Sequence, residues 1–443
     1  MSPETFGIAA MATLVIGFGA IFQEIGLGAA VIQQAELGPN DLSTVFWVNV
    51  CAGIVLAGIV FAGGPLIATF YRQPDVVPVL RVLSVWFLIG ALVPAQTTLL
   101  YRQLDFQSLA LRQMIGVIAG GVVGLGMAVA GYGVWSLVGQ ALTSTAIGTV
   151  VVWIASPWRP RLRFDLARLR TLWGYGSRVT GTNVMRNLSR AGDRILVGRY
   201  LGATSLGYYQ IAANWMMFPQ IITNEVIGRV AFPALARVQD DLAKVRDAFL
   251  LITKLVALIF FPGMAGIAVI APELVRAIYG PQWMPSAIII QFLAVVGARQ
   301  ALLVMVAPVL QALGLVGLQL KWEMISLGAM LAAVIVGSPY GLSAVAGLVA
   351  ASSIITLPFV LRVLCRAMKM PLAAWFGMLA VPAAIAAVDA ALMSAVRLYF
   401  VSLSFPDYLV LIYTMAVGVV VYIGFQLTIS RRDVTRLIAM FRE

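Results

Sequence analysis

The sequence predicts an all-α, polytopic membrane protein. Three observations carry that prediction: the chain is 61% hydrophobic and only 11% charged, its mean hydropathy is +0.96, and its basic residues gather on alternate connections. A soluble domain is nearer half apolar and a quarter charged. A chain this apolar is dissolved mainly in lipid, where a helix satisfies its own backbone hydrogen bonds. Since about 20 helical residues cross the hydrocarbon, 443 residues leave room for roughly a dozen spans with short connections.

About thirteen apolar stretches qualify, at roughly 7–33, 42–70, 77–100, 106–130, 134–154, 171–198, 205–228, 249–270, 287–312, 322–337, 342–361, 374–396 and 408–429. Turn signals such as Gly131-Tyr132-Gly133 and Ser338-Pro339-Tyr340-Gly341 separate them. Gly116, Gly120 and Gly124 form a ridge at helical spacing that predicts close helix contact. Pro219 and Pro262 fall inside spans and mark either hinges or tolerated kinks.

The net charge of +12 would suggest nucleic acid in a soluble protein, but here the positive-inside rule accounts for it. One alternate set of connections holds Arg102, Arg159 to Arg170, Arg229 to Arg246, Lys321, Arg362 to Lys369 and the tail Arg431 to Arg442, 18 basic residues in all. The other set holds five: Arg72, Arg81, Arg199, Arg276 and Arg397. The first set is expected to face the cytoplasm. Arg229–Ala248 and Arg431–Glu443 mix basic and apolar residues at helical spacing and are expected on the inner-leaflet surface.

Several function classes drop out. Without a single histidine, histidine acid–base catalysis and histidine metal sites are excluded. Cys51 and Cys365 lie far apart in or beside apolar segments and read as packing residues. No phosphate-binding Gly-x-x-x-x-Gly-Lys-Ser/Thr run occurs, so no ATPase motor is expected, and no cofactor is implied. The start, Met1 to Gly7, has no basic region and does not read as a signal peptide.

The chain also repeats itself at an interval of about 200 residues. Asp41-Leu42-Ser43-Thr44-Val45 recurs as Asp241-Leu242-Ala243-Lys244-Val245, and Leu66, Tyr71, Pro74 and Pro78 are echoed by Leu274, Tyr279, Pro281 and Pro285. Ser2-Pro3-Glu4-Thr5-Phe6-Gly7 falls opposite Gly202-Ala203-Thr204-Ser205-Leu206-Gly207. A helix over about 171–198 precedes the second motif and none precedes the first, so one helix of the first repeat is expected to be missing.

Phe22-Gln23-Glu24-Ile25-Gly26-Leu27-Gly28-Ala29-Ala30-Val31-Ile32-Gln33, Ser156-Pro157-Trp158-Arg159-Pro160-Arg161 and Asp193-Arg194-Ile195-Leu196-Val197-Gly198-Arg199-Tyr200-Leu201-Gly202 resemble the polysaccharide transporter (Wzx-like) family. So do Ser2 to Gly7, Leu42-Ser43-Thr44-Val45-Phe46-Trp47 and Phe232-Pro233-Ala234-Leu235-Ala236-Arg237. The likeness covers most of residues 2–310 and is nearest to the exopolysaccharide branch. The resemblance implies fourteen helices in the family, two pseudo-symmetric lobes around a central cavity, and two extra C-terminal helices. It implies flipping of undecaprenyl-diphosphate-linked repeat units across the bacterial inner membrane. It also implies membrane lipid, a polysaccharide polymerase and a chain-length complex as partners. The organisation expected on this basis is an N-terminal lobe over 1–155, a basic cytoplasmic linker over 156–170, a C-terminal lobe over 171–370, and two extra helices with a basic tail over 371–443.

Within that frame, segment 171–198 is the most informative. Arg178, Arg186 and Arg190 stand at i, i+8 and i+12, on one helical face with Asn183, Thr182 and Ser189 nearby. Each arginine held in hydrocarbon costs about 2.5–3.5 kcal/mol. Such a face belongs in a water-filled cavity, where a diphosphate would accept bidentate guanidinium bonds. The plainer reading makes Arg178 and Asp193-Arg194 helix-end residues, with Arg186 and Arg190 alone at depth. Arg299 and Lys254 are further intramembrane cations, either completing a phosphate site or, for Lys254 especially, snorkelling to the surface. Glu24 and Glu225 hold matching places in the two repeats and are read as gate or ion-coupling residues, or as boundary residues. Asp389 lies outside the repeats and reads as peripheral. A lipid-linked oligosaccharide flippase fits these features, with a cation-coupled multidrug antiporter or a non-transporting membrane scaffold as alternatives. An antiporter would favour acidic cavity residues.

Overall fold

The computed structural model describes residues 1–24, 26–33, 40–223 and 241–426. Among these every regular element is helical, and the chain forms two compact units, Met1–Gly207 and Tyr208–Glu443. Ten described helices are long and apolar enough to cross a membrane, or eleven if one bent pair counts as a single span. The protein is a multi-pass membrane protein.

The N-terminal unit opens with α1 (Pro3–Glu24) and the short α2 (Leu27–Gln33), separated at Gly26, whose φ of 60° breaks the predicted 7–33 span in two. A Cβ at Gly26 would lie 2.5 Å from the Gly176 carbonyl oxygen, so this break also permits close packing. Next comes α3 (Asp41–Tyr71), which continues through Pro65 and ends where Arg72 turns left-handed at φ 54°. The predicted 77–100 span is not straight. It consists of α4 (Val76–Leu83), α5 (Val85–Gly90) and α6 (Pro94–Arg102), with a 42° bend ahead of Pro94. Proline has no N–H to donate into the preceding turn, which places the break there.

α7 (Phe106–Val129) and α8 (Val134–Ala155) form a tight hairpin. Asp105 caps α7 by accepting from the Ser108 N–H at 3.0 Å and the Ser108 hydroxyl at 2.6 Å, and these bonds hold its carboxyl below the usual carboxylate range. Gly116, Gly120 and Gly124 are the buried residues of α7. A Cβ at Gly116 would sit 2.8 Å from the Ser144 carbonyl oxygen, and one at Gly120 would sit 2.6 Å from that of Gln140. The glycine ridge is therefore a seam of backbone contact, as its spacing predicts. Leu125, Val129 and Ile154 point outward with 68%, 82% and 78% exposure, a disposition that suits lipid.

The basic linker does not hang free. Trp47 donates to the Arg161 carbonyl at 2.9 Å, the Arg161 N–H donates to the Ser43 hydroxyl at 3.2 Å, and the Asp165 N–H donates to the Thr44 hydroxyl at 3.2 Å. The first turn of α3 thus holds residues 161–165. Phe46 packs edge-on against Trp153 and Trp158, and the Arg159 guanidinium lies 5.6 Å from the Trp153 ring centre.

α9 (Leu166–Thr223) comprises two helices joined at a kink, 58 residues in all, and contributes to both units. Two separate helices are expected here. Two helices are found: they meet end to end at Gly202, where φ is 81° and ψ is −177°. It is not among the ten apolar spans.

The second unit is built on α10 (Leu242–Ile278), α11 (Pro285–Leu302), α12 (Val306–Ala312), α13 (Val316–Gly337), α14 (Leu342–Ala367), α15 (Leu372–Ser402) and α16 (Asp407–Phe425). Asp241 caps α10 by accepting from the Ala243 and Lys244 N–H groups, and the helix passes through Pro262 and Pro272 without ending. Phe249, Val256 and Phe260 of α10 meet Val309, Leu310, Leu361, Leu364 and Trp375 in a continuous apolar core. The Arg397 Nε of α15 donates to both carboxylate oxygens of Glu273 at 2.9 Å, and Arg276 pairs with Asp407 at 3.0 Å. Two ion pairs thus tie the last two helices to α10. The basic stretch over 229–240 and the tail beyond 426 lie outside the described residues.

Candidate functional site

α9 carries the cationic row. Arg186 and Arg190 are both exposed and stand one turn apart near the middle of the limb that precedes Gly202, with Asn183 half-buried one turn earlier. Arg178 lies in the same helix, but its side chain is outside the described residues. The helix is anchored alongside the row, since Asn187 donates to the Gly17 carbonyl of α1 at 3.3 Å and Gly198 packs against the Tyr71 ring.

Asp193 and Arg194 do not mark a helix end. Asp193 is 5% exposed, Arg194 approaches it at 3.9 Å, and the Arg194 guanidinium donates to the Arg190 carbonyl at 2.7 Å. Arg194 is thus folded back on its own helix, whereas Arg186 and Arg190 project.

On the side of α9 away from the arginines lies a groove of about 590 Å³ lined by Phe22 of α1, Ala52, Val55 and Leu56 of α3, and Trp173, Ser177, Thr180, Gly181, Val184 and Met185 of α9. Its walls are almost wholly apolar. An apolar groove of this kind can accept a lipid-like chain.

In the second unit Arg299 occupies the last turn of α11 and lies 5.3 Å from the centre of the Trp322 ring of α13. Its Nε is buried without a hydrogen-bond partner among the described residues. Cation–π contact of this kind offsets part of the desolvation of a guanidinium and leaves its other nitrogens available. Lys254 is half-buried on α10. The structure gathers Asn183, Arg186 and Arg190 on one face, and it places Arg299 and Lys254 on separate helices of the other unit. Glu24 closes α1 with its side chain outside the described residues, and Glu225 lies outside them altogether.

Sequence reasoning missed the Trp322 stack and both ion pairs of the second unit. Arg276 and Arg397 read as loop charges, but each sits on a helix opposite a carboxylate 131 or 124 positions away. No local pattern signals such pairs. Asp389, read as peripheral, is 3% exposed inside α15.

A family model described as polysaccharide biosynthesis protein matches residues 1–288. The teichuronic acid biosynthesis protein TuaB of Bacillus subtilis is 28% identical over 309 residues, which is 69% of this chain and 64% of that protein. The lipopolysaccharide biosynthesis protein WzxC of Escherichia coli is 27% identical over 338 residues, 75% of this chain and 68% of that one. The match therefore spans about two thirds of the length of these curated relatives. Among solved structures, the lipid II flippase MurJ in an inward closed conformation has the same fold, with a TM-score of 0.76 at 17% identity over 98% of this chain and 94% of the other.

Proposed function

The chain belongs to the polysaccharide biosynthesis protein family whose model covers its residues 1–288, and from that premise we propose that it is a flippase for lipid-linked oligosaccharides. The cargo is an undecaprenyl-diphosphate-linked repeat unit destined for exopolysaccharide or lipopolysaccharide, carried across the bacterial inner membrane from the cytoplasmic to the periplasmic leaflet. Translocation changes no covalent bond, and alternating access is the mechanism the family fold suits.

The observation that carries this reading is the pair Arg186 and Arg190, exposed one turn apart on a helix that Asn187 joins to α1. Arginine remains charged in any membrane environment and grips phosphate with two parallel N–H bonds, which a diphosphate can accept from both residues at once. The apolar groove on the other side of the same helix suits a lipid tail. Arg178, Asn183 and Arg299 are assigned to the same cargo, with Glu24, Glu225 and Lys254 as gate or coupling groups. A polysaccharide polymerase and a chain-length complex are the partners that would receive the product.

Export in cells lacking their own flippase tests the proposal. The chain should restore surface polysaccharide, and Arg186→Ala with Arg190→Ala should abolish it at unchanged protein level. No restoration by a well-expressed chain, or full activity of the double variant, would remove the cationic-row mechanism. A cation-coupled antiporter is not favoured, because the curated relatives above are named for polysaccharide biosynthesis.

A further inference from the structure

We propose that the turn joining α14 to α15 carries a binding site for the phosphate headgroup of an anionic phospholipid. This inference does not rest on the transport reading. Arg362 and Arg366 stand at i and i+4 on the last turns of α14, and Lys369 follows just beyond the helix end; all three are exposed. The chain reverses sharply here. The Lys369 N–H donates to the Arg366 carbonyl at 3.2 Å, the Met370 N–H donates to the Cys365 carbonyl at 2.8 Å, and Lys369 itself has φ of 50°. That left-handed conformation is uncommon for a side-chain-bearing residue, and it folds the lysine back toward the two arginines.

The result is a cavity of about 640 Å³ lined by Arg362, Cys365, Arg366, Lys369, Met370 and Leu372. Its floor is rigid, because Cys365 and Met370 are buried members of the same apolar core as Trp375. Its rim is three cations, and among the described residues none of them has an acidic partner. The negative end of the α14 dipole offsets some of their mutual repulsion. The remainder calls for an anion with several oxygens, which guanidinium groups bind well.

Position selects the source of that anion. Both α14 and α15 are membrane-spanning helices, so the turn between them lies at a membrane surface, where phosphodiester headgroups are concentrated. Phe359, one turn before Arg362, and Phe376, one turn after Leu372, are 57% and 55% exposed and flank the cavity along the two helices with apolar surface for acyl chains. A free phosphate would use the cations alone; a phospholipid uses both features.

The test is a titration of the purified full chain in neutral detergent with fluorescent phosphatidylglycerol and, separately, phosphatidylcholine. The unaltered protein should bind the anionic lipid at least about tenfold more tightly, since each basic residue at a lipid surface raises affinity several-fold. The triple change Arg362→Gln, Arg366→Gln and Lys369→Gln should bring the two lipids level, and Arg362→Lys with Arg366→Lys should keep the preference. Removing three charges elsewhere, by Arg159→Gln, Arg161→Gln and Arg163→Gln, should leave it intact. The proposal is overturned if the first triple variant keeps its preference, if the linker triple loses as much, or if the doubly lysine-substituted protein, shown folded by its elution profile, has none. It is also overturned if inorganic phosphate at millimolar concentration displaces the phosphatidylglycerol that the first triple variant fails to bind, which would assign the site to a free anion.

Discussion

Gly7 and Gly207 are matching halves of one reciprocal helix contact: a Cβ at Gly7 would collide with the backbone carbonyl of Ala203, and a Cβ at Gly207 would collide with that of Pro3. The four positions form two pairs, 7 with 203 and 207 with 3, related by the same 200-residue interval as the sequence repeat. Reciprocity of this kind is the signature of a two-fold relation, here within a single chain. Either glycine changed to alanine should therefore destabilise the protein by about 1–3 kcal/mol through overpacking, and by similar amounts. Gly17→Ala, where nothing lies within 4 Å, is the control. Thermal unfolding of the detergent-solubilised protein measures all three, and a neutral Gly7→Ala would contradict the contact.

The α7–α8 seam predicts a sharp contrast between adjacent glycines. Gly120→Ala meets the Gln140 carbonyl and the Ser144 side chain and should lower the unfolding temperature. Gly121→Ala meets nothing and should raise it slightly, because alanine is favoured over glycine in a helix interior by about 1 kcal/mol. Equal effects at the two sites would show that the ridge is not a packing seam.

Glu273 is 5% exposed and its carboxylate takes the Arg397 guanidinium, so removing one partner strands a charge. Arg397→Met should cost about 3 kcal/mol, whereas Arg397→Met combined with Glu273→Leu should recover most of that loss. A denaturation series on the two variants and the parent decides it. Additive losses would mean that the pair does not couple α15 to α10.

For the cationic row, lysine separates charge from geometry. Arg186→Lys with Arg190→Lys keeps both charges but removes the planar fork, so export should fall without vanishing. Export equal to the unaltered chain would indicate that a positive potential suffices and that bidentate grip has no part in it.

The membrane fold, the order of most of its spans and the glycine seam were legible in the residues alone, because hydropathy and small-residue spacing are local properties that lipid reads directly. The arginine face was equally legible, since helical periodicity assigns 186 and 190 to one side whatever surrounds them. So were the two helices that meet at Gly202. Partners were not legible. Trp322 beneath Arg299, and Glu273 facing Arg397, come from distant parts of the chain, and only packing brings them into contact. Sequence by itself determined what kind of solvent this protein lives in and which charges it carries there. Tertiary structure alone decided which of those charges are neutralised by a neighbour and which are left to meet something else, because burial and pairing are properties of three-dimensional proximity.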